Sequence, residues 1–220
     1  MIQYAVKRDV MADRPFHRGI DRAAVLAAAL RVLDAEGRAG VTMRRIAREL
    51  DVEAASLYTH VRSKDDLVDG VLDRVLDEVR LPDPGLSWRQ AITAAYGTYR
   101  RTLLAHPAAV PLLTERAQAS SAQYRLAARS IELLEQGGLD PRGVVETQVA
   151  LIAFTMGFVA QEVGRSAAPS AELLESSPVM RRAIATAAQI PVDDRFRAGL
   201  DLILDGAEAA RRRQRRMRRG

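Results

Sequence analysis

The chain has 220 residues, 48% hydrophobic and 28% charged, an ordinary balance for one or two globular domains with a real core. It has no cysteine and only three histidines, His17, His60 and His106, far apart in sequence; disulfides, thiolate metal sites and a cysteine nucleophile are excluded, and little is left for a metal site or a catalytic base. The net charge of +5 is uneven: residues 1–64 hold 12 basic and 8 acidic residues, residues 211–220 hold seven arginines, and the chain without that tail has 26 basic and 28 acidic residues, which suits a polyanion-binding head on a body that does not itself bind nucleic acid.

Residues 1–20 lack periodicity and mix charges with Pro15. They read as a flexible arm, basic at Lys7, Arg8, Arg14 and Arg18, with no apolar signal-peptide stretch. Asp21 then caps a helix to about residue 36, stopped by Gly37 and Gly40, with Val25, Ala28, Ala29, Val32 and Leu33 as its apolar stripe. Thr42 caps a second helix to about Leu50, where Met43, Ile46, Ala47 and Leu50 share a face. Asp51, a residue that tolerates a left-handed backbone, makes the turn. A third helix follows, from 53 or 54 to about 60, anchored by Val52, Leu57 and Val61. Its outer face carries Ala54, Ala55, Ser56, Tyr58, Thr59 and His60, small or hydrogen-bonding groups of the kind a major groove admits. Arg44 and Arg45 precede it and Lys64 follows, placed for phosphates.

Ser63 and Asp66 form an S-x-x-D start signal for a fourth helix bearing Leu67, Val68, Val71, Leu72, Val75 and Val79. It ends before the sequence LPDPG at 81–85, the clearest internal boundary. Helices are predicted beyond it at 88–105, stopped by His106-Pro107, and at 121–136, stopped by Gly137-Gly138; between them lies a short segment, 108–117, containing Pro111. Asp140-Pro141 opens the most apolar helix, 142–164. One stripe on it holds Val145, Val149, Ile152, Met156, Val159 and Val163; a second holds Val144, Leu151, Thr155 and Phe158. Two stripes predict burial on two sides, against the core or a partner subunit. Its uninterrupted apolar run, 149–160, is about 12 residues, short of the roughly 20 that span a bilayer, and a cytoplasmic location is expected. Residues 166–177 read as a loop. A helix from Ser177-Pro178 carries Met180, Ala183, Ile184 and Ala187, and a last one, capped by Asp193 or Asp194, carries Phe196, Leu200, Ile203 and Ala207. The arginines at 211–220 read as a disordered tail that either adds sequence-blind phosphate attraction or is inert.

The literal pattern at 42–64, T-x-R-x-I-A-x-x-L-x-V-x-x-x-S-L-Y-x-H-V-x-x-K, resembles the DNA-binding domain of the TetR family of bacterial repressors, from Asp21 to about Val79; Arg22 matches a commonly basic position. The body resembles, more loosely, the C-terminal domain of tetracycline-repressor-type members, through Phe154-Thr155-Met156-Gly157, Gln161-Glu162 and RFRAGLDLILDGAEA at 195–209. The resemblance implies an all-α protein: a helix-turn-helix head at 21–64, a connecting helix at 65–80, and a ligand-binding and dimerisation domain at 86–210. It implies a homodimer through helices 142–164 and 194–209, binding double-stranded operator DNA through Arg44, Arg45, Ala54, Ser56, Tyr58, Thr59, His60 and Lys64, and a small-molecule effector. Loose alignment puts Thr93, Gly97, Pro111, Thr114, Ala127, Ile131, Gln148 and Ile152 around the effector, about half of them in contact with it.

There are departures. Ala54, Ala55 and Thr59 stand where the tetracycline repressor has a glutamine, a proline and a tryptophan, which implies another operator. Pro111 and Ala153 stand where it has metal-binding histidines and Gln161 where it has a glutamate, so magnesium–tetracycline recognition, a metal or any other cofactor is not expected. No catalytic signature accompanies Glu162 or His106, each read as a helix-end group, and no enzyme is expected. The expected function is a ligand-released repressor. The alternatives are a DNA-binding protein without an effector, which a cavity would argue against, and an α-helical carrier or enzyme.

Overall fold

A computed structural model describes residues 20–116, 120–164 and 177–217, which contain helices and no strand. All of the arm but Ile20, and all of the predicted 166–177 loop but Ser177, lie outside the described residues, as do the last three residues of the tail.

Three helices build the head: α1 (Arg22–Gly40), α2 (Met43–Glu49) and α3 (Ala54–Leu57). Asp21 accepts a hydrogen bond from the Ala24 amide at 2.7 Å, and the five predicted stripe residues of α1 are all buried. Gly37, at φ 69°, breaks the helical backbone three residues before the end of α1. Thr42 caps α2, and Asp51 takes a left-handed φ of 53°, as the turn requires. The third helix is shorter than predicted. Beyond Leu57 the backbone tightens to i→i−3 bonds, while the Ser56 and Thr59 hydroxyls donate to the carbonyls of Glu53 and Ser56 at 2.6 and 2.7 Å. Such back-bonding competes with the helical ladder. Leu57 and Val61 nonetheless anchor the segment, wholly buried.

The connecting helix α4 (Lys64–Asp77) is capped by Ser63, whose Oγ accepts from the Asp66 amide. Its apolar face, from Leu67 to Leu76, joins α1, α2 and Leu57 in one core. That core also takes in Leu103 and Val159 from the body and α6 (Ala109–Glu115). Pro111 sits in the first turn of α6, where its missing N–H costs no helical bond. A second core lies farther from the head, among α5 (Trp88–Ala105), α7 (Ser121–Gln136), α8 (Pro141–Val163) and α10 (Val192–Met217).

α8 separates its two stripes. Val144, Leu151 and Thr155 of the second are buried, whereas in the first Val145 and Val149 are 61% exposed and Ile152 and Val163 also face outward; Val159, expected on the first, is buried instead. With 23 residues and a mean hydropathy of 1.6 in its most apolar stretch, α8 is long and apolar enough by length and composition to cross a membrane, contrary to the reading of its 12-residue run. Its packing by α5, α7 and α10 and its buried Thr147, Gln148 and Thr155 are those of a core helix. α9 (Pro178–Gln189) buries none of its residues and leaves Val179 and Met180 exposed.

The last helix departs most from expectation. It begins at Val192, so Asp193 and Asp194 lie in its first turn, and it continues to Met217, making residues 211–217 helical rather than disordered. Arginine is a good helix former, and cations suit a helix C-terminus. Local bonds also hold this end: Arg211 donates to the Gly137 carbonyl, Arg212 pairs with Glu208 at 3.2 Å, and Gln214 donates to Asp140 at 2.9 Å.

An ion-pair cluster, unseen in the sequence, joins α5, α8 and α10. The Arg100 guanidinium, 7% exposed, makes two 2.7 Å bonds to Glu162 and a third to Asp193, and lies 5.0 Å from the Phe196 ring centre and 5.5 Å from that of Phe158. Glu162 is therefore a structural counter-ion. Truncating Arg100 would strand Glu162 and unpack two rings. Arg100→Ala is expected to lower unfolding free energy by about 2–4 kcal/mol, and Arg142→Ala, which removes an exposed pair, by clearly less. Chemical denaturation of the two variants checks the ordering; equal losses would refute it.

Candidate functional site

The predicted DNA-facing residues lie on and around α3, and their side chains are not equivalent. Arg44, Tyr58, Thr59 and Lys64 are exposed, Tyr58 by 57%. His60 is half-buried. Ser56 is half-buried with its hydroxyl turned to Glu53, and Ala54 packs partly on the head core. Arg45 is held by Glu36 at 2.7 Å and Glu49 at 2.9 Å, so it reaches a phosphate only by leaving them. Arg62, missed in the sequence reading, has a side chain 91% exposed and adds a cation between His60 and Lys64. Its position inside the matched pattern was the available signal.

The reading segment is fixed by Arg22. Its guanidinium donates twice to Asp66, at 2.9 and 3.1 Å, and once to the His60 carbonyl, at 2.8 Å. Asp66 also accepts from the Arg62 amide at 2.8 Å. Arg22 beside it holds the Asp66 carboxyl well below the usual carboxylate range. The start of α1, the end of the reading segment and the start of α4 are thus one hydrogen-bonded unit.

The other edge of α4 binds the body. Asp65, Asp69, Asp73 and Asp77 recur every four residues and so share one edge. Arg116 pairs with Asp65 and Asp69, the Ala122 amide and Ser121 hydroxyl donate to Asp73, and Arg125 pairs with Asp77. On a further side His106, the C-cap of α5, places Nδ1 3.0 Å from Asp34 of α1 and Nε2 3.1 Å from Glu78 after α4. His106 is therefore a junction residue and does not line the cavity.

A cavity of about 490 Å³ lies where the two cores meet. Leu76, Val79 and Leu81 close it on the α4 side, and Tyr96, Tyr99, Tyr124, Leu126 and Ile131 line much of the rest. Of the eight expected lining residues, Ala127, Ile131, Gln148 and Ile152 face it. Thr93, Gly97, Pro111 and Thr114 do not: Pro111 and Thr114 are exposed on α6, and the Thr114 hydroxyl bonds the Val110 carbonyl. Helix α6 leans on the head core instead, which a loose alignment could not register. The polar groups gather at one place: Tyr96 Oη donates to Gln148 Oε1 at 3.2 Å, and Ser130 Oγ donates to the same oxygen. That leaves the Gln148 amide N–H groups for an acceptor in the cavity. Burial pushes both Tyr96 and Tyr99 up to about 12, so they stay neutral. The lining has two guanidinium groups, Arg116 and Arg129, and no carboxylate.

Residues 25–71 match the family described as bacterial regulatory proteins, tetR family, and residues 81–211 match the tetracyclin repressor-like C-terminal domain. An HTH-type transcriptional regulator of Saccharopolyspora erythraea is 36% identical over 139 residues, covering 63% of this chain and 59% of that relative. The chain therefore spans less than two thirds of that relative's length. The Streptomyces coelicolor TetR family protein ActR in complex with actinorhodin superposes with a TM-score of 0.75 at 28% identity, over 88% of this chain and 97% of that one. BioQ with its natural double-stranded DNA operator superposes with a TM-score of 0.67 at 27% identity, over 87% and 99%.

His106 gives the junction a pH dependence. Burial opposes the charged ring, but Asp34 and Glu78 outweigh it and raise the His106 pKa above its ordinary 6.5. A raised folded value means that this stabilisation is complete below about pH 6.5 and is lost as pH rises through the folded value. His106→Gln is expected to destabilise the protein at pH 6 more than at pH 9. Thermal unfolding of both proteins across that range checks it, and a difference independent of pH would refute it.

Proposed function

Because this chain belongs to the TetR family of bacterial regulatory proteins, we propose that it is a cytoplasmic, ligand-responsive repressor that binds a palindromic operator as a homodimer. The family's members are transcriptional regulators and not enzymes. The observation that carries the ligand-responsive reading is that α4 belongs to both sites: Leu76, with Val79 just beyond the helix end, lines the cavity, and Asp66 of the same helix holds the reading segment through Arg22.

The reader docks α3 in the major groove. Tyr58, Thr59 and His60 face base edges or phosphates, and Arg44, Arg62 and Lys64 meet phosphates. Arg45 joins them by exchanging its carboxylate partners. Two heads of a dimer reach successive major grooves, roughly 34–36 Å apart. The dimer forms through the outward stripe of α8, with Val145, Val149 and Ile152, together with α10, where Leu202 is 75% exposed. A monomer rarely leaves such a contiguous apolar face in water.

An effector enters the cavity among Tyr96, Tyr99, Tyr124 and Ile131 and offers an acceptor to Gln148. It displaces Leu76 and Val79, or draws Arg116 away from Asp65 and Asp69, and either movement shifts α4 and hence the spacing of the heads. Couplings of this kind are typically 1–3 kcal/mol, about 5–150-fold in affinity. The cavity favours this reading over a regulator without an effector, and the coherent cationic head favours it over an α-helical carrier.

The first experiment is titration of a fluorescent duplex from immediately upstream of the protein's own gene, at fixed salt and with competitor DNA. Saturable binding that resists competitor is expected, abolished by Tyr58→Ala with Lys64→Ala. Ala127→Trp, which fills the cavity, is expected to weaken that binding about 5–150-fold. A correctly folded Ala127→Trp protein with unchanged operator affinity would refute the release mechanism. Val149→Asp with Leu202→Asp is expected to give a monomer by sedimentation and to lose operator binding; a stable dimer would place the interface elsewhere.

A further inference from the structure

We propose that the arginine-rich end of α10 is a second polyanion-binding site, at the pole of the body opposite the reading head, and that it takes the phosphate backbone of a second segment of duplex DNA. The proposal rests on the head being a DNA reader, and its test separates the two.

The position of this end follows from the helix contacts. α10 starts beside the head: Asp193 bonds Arg100, six residues before His106, the residue that touches α1 and the end of α4. It then runs away from the head. Asp201, Asp205 and Glu208 meet Arg89 at the far end of α5, and Gln214 meets Asp140 at the far end of α8. At about 1.5 Å per residue, Arg216 lies about 35 Å along the helix from Asp193. Screening at physiological salt acts within about 8 Å. On this geometry residues 211–217 point away from the duplex held by the head, so of the two readings of the tail, sequence-blind phosphate attraction or none, the first acts on DNA elsewhere.

The arginines outnumber the carboxylates at this end: residues 211–220 carry seven arginines, while Asp201, Asp205 and Glu208 share Arg89, Glu208 also pairs with Arg212, and Asp140 meets Gln214. Arg213 and Arg216 are exposed and form no ion pair among the described residues. Arg212, Arg213 and Arg216 fall at i, i+1 and i+4, on one side of the helix, and of the three Arg212 alone has a carboxylate partner among the described residues. A row of guanidinium groups matches phosphate oxygens through paired hydrogen bonds, which a lysine row does not. When the head sits on DNA, the polyanion at highest effective concentration around the opposite pole is another stretch of the same molecule. The protein is then a bridge, with a sequence-reading end and a sequence-blind end.

The test uses the full chain, an immobilised duplex from upstream of its gene, and a labelled 40-base-pair duplex of unrelated sequence. The wild type is expected to retain the labelled duplex on the immobilised one, and Arg213→Gln with Arg216→Gln to lower that retention at least tenfold while leaving affinity for the immobilised duplex unchanged. Binding of the unrelated duplex by the head variant, Tyr58→Ala with Lys64→Ala, should persist at low salt. Its log–log salt slope should fall by about 2 when the two arginines are also removed, one unit per lost phosphate contact. Loss of affinity for the immobilised duplex in the arginine variant, with unfolding temperature unchanged, would overturn the proposal by placing the tail on the same DNA as the head. So would binding to vesicles of anionic phospholipid without retention of the duplex. A wild type that never binds the immobilised duplex, while the unrelated duplex still binds through the arginines, would count against the head as reader and leave the distal site standing.

Discussion

The fourth helix meets two demands along fourteen residues, and the rest of the structure is arranged around how it does so. Its apolar face is sunk in the head core from Leu67 to Leu76, so it moves as part of the head. Its carboxylate edge, Asp65, Asp69, Asp73 and Asp77, is bound by Arg116, the start of α7 and Arg125, so it is also tied to the body. The attachment to the body is apolar as well as ionic, because Leu103, Val159 and α6 share the core that holds α4. Hydrophobic packing is short-ranged and insensitive to salt, whereas exposed ion pairs are individually weak and yield to small displacements. In the proposed release mechanism a push from the cavity acts on this helix and through it on the head.

The same division appears in the distribution of empty space. Near the head the core is continuous from α1 to α6, and the Arg22–Asp66–His60 unit ties the reading segment to α1 and α4. The cavity of about 490 Å³ opens only where this core meets the second one, with Tyr99 touching both. Beyond it the Arg100 cluster locks α5, α8 and α10 together. This cavity therefore lies between two packed regions, at a seam that borders α4.

Local signals made much of this legible in the sequence. Caps and stops placed the start of α1 and both ends of α2, α5, α7 and α8 within a residue or so, because Asp21, Thr42, Gly137 and Asp140 act on their own neighbours; α1 ran on past Gly37 to Gly40. Asp51 was readable as a left-handed turn because that preference is intrinsic to the residue. What escaped depends on residues distant in sequence. Nothing local to Arg100 announces Glu162 and Asp193, 62 and 93 positions away. The four-residue recurrence of aspartates on α4 was visible, but only the fold shows which cations answer it. The cavity was half legible for the same reason. Pro111 and Thr114 belong to a short helix whose placement no capping residue sets, and Thr93 and Gly97 show that even a well-capped helix does not reveal in sequence which of its faces meets a cavity.

The end of α10 was misread because composition was allowed to stand for conformation. Seven arginines in ten residues look like a chain that repels itself into disorder, and in isolation such a segment would do so. Here it is propagated from a helix already nucleated and packed at Phe196, Leu200 and Leu204, and the cost of starting a helix has been met upstream. Extending it needs only residues with good helix propensity and a few terminal anchors, which Arg211, Arg212 and Gln214 supply. The helix then carries its charge in a fixed direction, away from the head. Where a flexible tail of the same composition could fold back over any acidic surface, a rigid one presents its cations to whatever polyanion lies beyond the body.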